Sequence, residues 1–81
     1  MNEIAKSIYN AIKVRIEEDT CTEFLNFAFK DGEFIKYFFT NDIFNSTEDG
    51  IVYGGLTLEE YTNMSVEEIE EELLYTQSES L

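Results

Sequence analysis

Histidine is missing altogether from the 81 residues, and cysteine occurs once, at Cys21. The first absence removes the commonest general base and the commonest nitrogen ligand for transition metals, so Ser-His and Cys-His catalysis are excluded. The second excludes an internal disulfide, a cysteine-only metal site and a thioredoxin-type pair, and leaves Cys21 as a small apolar packing residue. A glycine-rich phosphate loop is also lacking, because Gly54-Gly55 has neither the spacing nor the lysine of such motifs. No apolar run approaches the roughly 20 residues that span a bilayer, and no positively charged start leads into a signal-peptide core. The expectation is a cytoplasmic protein without cofactor or metal, and not an enzyme.

Positive charge is the scarcest commodity: 5 Lys and Arg stand against 18 Asp and Glu, for a net charge of −13. Residues 1 to 16 hold one acid and three cations, residues 17 to 50 nine acids and two cations, and residues 51 to 81 eight acids and no cation. Beyond Lys36 there are 11 carboxylates and no internal cation, so only solvent, salt or a bound cationic surface relieves their repulsion. A surface this negative repels nucleic acid and anionic lipid but attracts a strongly basic protein.

Hydrophobic residues make up 43% of the chain and aromatics 15%, with seven Phe and five Tyr, which is enough apolar surface for one small core. Ile4, Ala5, Ile8, Ala11, Ile12 and Ile16 recur at helical spacing after Asn2, which is expected to cap a first helix of about 14 residues. Asp31-Gly32, between two β-rich runs, predicts a tight hairpin. A two-residue loop there sets Phe29 opposite Phe34, Phe27 opposite Lys36 and Leu25 opposite Phe38. Phe24 with Phe39, Asn26 with Tyr37 and Ala28 with Ile35 then fall on the second side. Ile51-Val52-Tyr53 reads as a short third strand that Gly54-Gly55 terminates, and Asn45 to Asp49 as the loop before it.

Thr57-Leu58-Glu59-Glu60 fits a capping box and predicts a short helix to about Asn63. Ser65-Val66-Glu67-Glu68 repeats the pattern and predicts a helix to about Tyr75, with Val66, Ile69 and Leu73 inward. The fold class is therefore α+β: a helix, a three-stranded antiparallel sheet and two helices in one domain over residues 1 to 75, with 76 to 81 as a disordered tail.

Several chemistries fail on inspection. The loop from Asn45 resembles a calcium-binding EF-hand through Thr47, Asp49 and Gly50, but Leu56 stands where the bidentate Glu belongs. Paired carboxylates on exposed helices offer no cleft for glycoside hydrolysis. The aromatic run from Phe24 to Phe44 has too few cations nearby to serve as a base-stacking platform.

Glu67, Glu68, Glu70, Glu71 and Glu72 could form a merely solvated helix face. Yet exposed helices ordinarily set Lys or Arg four residues after Glu, and acids late in a helix oppose its dipole. Glutamates one turn apart, such as Glu67 with Glu71 and Glu68 with Glu72, lie roughly 5 to 6 Å apart at Cβ, close to the spacing of successive phosphates. Together with Asp42, Glu48, Asp49, Glu59 and Glu60 they are the candidate partner-binding set. Phe44, Tyr53, Tyr61 and Tyr75 are candidate apolar contacts.

In size, charge and element order the chain resembles the small acidic phage-encoded DNA-mimic inhibitors. These include anti-CRISPR and anti-restriction proteins and inhibitors of uracil-DNA glycosylase or histone-like proteins. The order of elements around the Asp31-Gly32 hairpin is similar to that of a small anti-CRISPR that fills the duplex-recognition cleft of an RNA-guided nuclease. The resemblance implies a non-enzymatic inhibitor that blocks the basic DNA-binding groove of a defence or host protein in a bacterial cell, by preference a CRISPR-Cas effector. Alternative targets are a restriction enzyme, a DNA glycosylase or a histone-like protein. A different reading is a protein-protein adaptor that binds through Phe24, Ile35, Tyr37 and Phe39, and a homodimer through that face is compatible with either.

Overall fold

The computed structural model describes residues 1–18, 23–41 and 49–81. Helix α1 (Asn2–Glu17) is followed by strands β1 (Phe24–Lys30), β2 (Glu33–Thr40) and β3 (Ile51–Thr57), then helices α2 (Leu58–Tyr61) and α3 (Val66–Glu79). This is the expected α+β order. Both neighbours of β1 run antiparallel to it, in the order β2-β1-β3, so β3 returns to the far side of β1. Cys21, Asp42, Phe44 and Glu48 lie outside the described residues.

The central strand explains the position of the core. With a strand on each side and helices beneath, Leu25, Phe27 and Phe29 are fully buried and meet Ala5, Ile8 and Ile12 of α1. Ile69 and Leu73 of α3 complete that layer with Leu58 and Tyr61 of α2. Burying each of the larger side chains contributes about 1.5–3 kcal/mol, which is what holds two helices whose outer faces are charged.

The hairpin turn has the predicted chemistry. Asp31 and Gly32 both have positive φ, 52° and 81°, the pair of conformations that matches a two-residue turn to strand twist. Register beyond the turn departs from expectation. Phe29 does face Phe34, but Ala28 faces Lys36, Phe27 faces Tyr37, Asn26 faces Phe38 and Leu25 faces Phe39, which makes Ile35 the extra residue of a β-bulge. An unbulged strand would turn Lys36 into the core. The bulge moves Lys36 to the outer face, where its ammonium lies 5.2 Å from the Phe38 ring, and turns Tyr37 and Phe39 towards α1. The Tyr37 hydroxyl is 2.9 Å from that of Ser7, and the Arg15 guanidinium lies 4.6 Å from the Phe39 ring.

Strand β3 does not end at Gly54-Gly55 but stays paired with β1 through both glycines to Thr57, and two helix ends also differ. Met1 rather than Asn2 occupies the cap of α1, and its carbonyl accepts from the Ala5 amide at 2.9 Å. Helix α3 starts as expected, with Ser65 and Glu68 forming a reciprocal capping box at 3.2 Å each way, but continues to Glu79. The residues expected as a tail dock on the sheet: Thr76 is buried beside Gly54, where a Cβ would strike its hydroxyl. Gln77 donates to the Gly32 carbonyl and the Gly32 amide donates to Ser80, both at 2.8 Å.

Candidate functional site

The acids divide by element. In α2 the cap places Leu58 and Tyr61 inward and Glu59 and Glu60 outward, since residues three apart share a helix face. In α3 the inward positions Ile69, Leu73 and Thr76 leave Glu67, Glu68 and Glu71 exposed and Glu70 and Glu72 half-buried on the flanks. By helical spacing Glu68 and Glu72 share one flank, and Glu67 and Glu71 line the outermost row. Among the described residues none of these seven carboxylates has a cationic partner, and the one ion pair is Arg15 with Glu23 at 3.7 Å. No basic residue stands in the last turn of α3 to offset its dipole.

Tyr61 shows where α2 and α3 meet. Its hydroxyl is buried, without a hydrogen-bond partner, close to the Leu56 backbone. Burial pushes its pKa far above the usual tyrosine range, and the nearby Glu72 and Glu60 carboxylates push it further. One acid of α2 and one of α3 thus add to the cost of ionising this buried side chain.

Other candidates fall elsewhere. Asp49 is exposed just before the Lys30-facing end of β3, whereas Glu59 and Glu60 follow its far end. Seven residues of strand, roughly 20 Å or more, separate them. Asp49 thus stands apart from Glu59 and Glu60 of α2. Tyr61, expected as an outward apolar contact, belongs to the core because the short α2 turns it under with Leu58. Tyr53 is half-buried on the outer sheet face, its ring 6.3 Å from that of Phe38. Tyr75 is the outlier in exposure at 66%, on the solvent side of α3 with Leu74.

The bulge also dissolves the proposed adaptor face. Tyr37 and Phe39 pack on the core side, while Phe24 borders the outer face, so the four residues never form one surface. Among the described residues no helix is long and apolar enough to cross a membrane, and no cluster of acids is arranged to hold a metal ion. The chain matches no family model, no curated protein and no solved structure.

Sequence reasoning missed Asn26. It lies between apolar neighbours in the central strand, is only 8% exposed, and its amide nitrogen has no hydrogen-bond partner. An asparagine inside the run Phe24 to Phe29 was the available signal.

Proposed function

We propose that the chain is a non-enzymatic inhibitor that presents the α2 and α3 carboxylates as a substitute for a nucleic-acid backbone and occupies the basic groove of a DNA-binding protein. The observation that carries this reading is the group of seven glutamates on two adjoining helices without a cation among the described residues. Such an arrangement is costly for a free helix, because like charges at i, i+4 destabilise it. It becomes favourable against a groove lined with Lys and Arg, where fixed anions replace phosphates and release counterions. Leu74 and Tyr75, exposed beside the same glutamates, add apolar contact that phosphates do not supply. The preferred target is a CRISPR-Cas effector of a bacterial cell, and a restriction enzyme, DNA glycosylase or histone-like protein is the same chemistry with a different partner.

Competition tests the reading. The chain in excess displaces duplex DNA from its target at low salt, and the effect falls steeply as salt rises. Reversing charge at Glu67, Glu68, Glu71 and Glu72 together lowers the apparent affinity more than about 100-fold, because attraction is replaced by repulsion at each contact. The reading fails if a panel of such effectors and DNA-binding proteins keeps its DNA in excess of the chain.

A further inference from the structure

Strand β3 is an edge of the sheet, with a neighbour on one side only. The Leu58 amide donates to the Glu23 carbonyl at 3.0 Å, one step beyond the pairing of Phe24 with Thr57. Bonded and unbonded pairs alternate in an antiparallel ladder, so Gly54 and Leu56 exchange bonds with Phe27 and Leu25, whereas Gly55 and Thr57 turn their groups away from β1. The Gly55 amide and carbonyl and the Thr57 amide thus face the open side, and among the described residues no backbone group meets them. The opposite edge is guarded, because β2 carries the bulge at Ile35 and the outward Lys36. Strand β3 pairs without a break, has no charged residue and is bare at the exposed Gly55, where a depression of about 320 Å³ opens on the outer face.

Helix α3 sets the charge of this edge. Thr76 lies against Gly54, and Gln77 turns the other way, to the hairpin at Gly32. By helical spacing Glu72 and Glu79 continue the flank of Thr76 along β3, and among the described residues neither has a cation. A second copy would bring the same acids to the same edge and is repelled. An extended cationic segment is attracted. Side chains alternate across a strand, so one added here directs every second residue to the depression and the rest to the acids. We propose that the free edge of β3 receives a strand of the basic partner, with Lys or Arg at alternate positions facing α3 and small apolar residues between them. The source of the strand rests on the function proposed above; the edge itself rests on Gly55, Thr57 and the flank of α3.

Nuclear magnetic resonance of the full ¹⁵N-labelled chain tests it, with acetyl-Arg-Val-Arg-Val-Arg-amide as the probe at low salt. Saturable shifts are expected at the Gly55 and Thr57 amides, and their exchange with solvent slows about tenfold or more as they acquire acceptors. The same peptide N-methylated at its three central residues keeps every charge, is obstructed along both of its edges and leaves the two amides unmoved. Glu72→Gln and Glu79→Gln each weaken the probe by roughly two- to fivefold, as for ion pairs near a surface, whereas Glu3→Gln on α1 does not.

Shifts confined to the glutamates of α2 and α3 overturn the proposal. So does an equal response to the N-methylated peptide, or unchanged binding by both glutamine variants of α3. Failure in the DNA competition with a positive titration removes the mimicry and keeps the edge. Successful competition with a negative titration removes the edge alone.

Discussion

The side of the molecule built from α1 and β2 and the side built from α2 and α3 treat charge in opposite ways. On the first, cations are absorbed into packing: Arg15 reaches both Glu23 and the Phe39 ring, Lys13 lies over Tyr9, and Lys36 over Phe38. On the second, glutamates follow one another at helical spacing, and among the described residues no cation meets them. Both sides rest on one core, so the contrast is not a matter of how much apolar surface each helix buries. It teaches that the second surface forgoes the ion pairs that would stabilise an isolated helix.

The largest effect on stability should come from disturbing the partnered side. Tyr37→Asp places a carboxylate where a half-buried ring meets Ser7 and Phe39, and should cost about 2–4 kcal/mol in urea unfolding. A loss within a few tenths of a kcal/mol would mean that the bulged register is wrong and Tyr37 faces solvent.

Between the two sides stands Tyr61, which offers a test by pH. Its raised pKa means that the fold favours the neutral hydroxyl, so its contribution is complete below the ordinary value of 10.0 and is lost as pH climbs above it. The loss is at most about 1.4 kcal/mol per pH unit. Urea midpoints at pH 8, 10 and 11 measure it, and Tyr61→Phe should flatten the alkaline decline. An equal decline in that variant would separate Tyr61 from the effect.

The smallest expected change sharpens the comparison most. Glu71→Lys converts a like pair with Glu67 into a favourable one, so it should stabilise the chain by roughly 0.4–1 kcal/mol. The same substitution should weaken partner binding. Thermal unfolding and the competition assay read the two outcomes, and a variant that gains in both would deny the acids a role in binding.

Much of this was legible in the residues. Asp31-Gly32 announced the turn, Ser65 with Glu68 the start of α3, and the periodicity of α1 its inner face. The bulge was not, because alternation along β2 looks the same until the cost of burying Lys36 is weighed against one extra residue. The order β2-β1-β3 was hidden because a short third strand can add to either edge of a hairpin. The end of α3 was concealed by its polar composition: Thr76, Gln77 and Ser80 continue the helix through contacts with Gly54 and Gly32 that no local pattern reveals. For the site, the glutamates of α3 could be placed by spacing alone. Tyr61 and Asn26 could not, since their burial depends on what the sheet and α2 bring to them.

The extra residue in β2 makes that strand more sensitive to length than to identity. Ile35 is 45% exposed, so many side chains can stand in its place. Deleting it is another matter: the downstream half of the strand would slide by one position, carrying Lys36 inward and casting Tyr37 and Phe39 out to water. Variation at this position should therefore take the form of replacement, with one-codon losses purged.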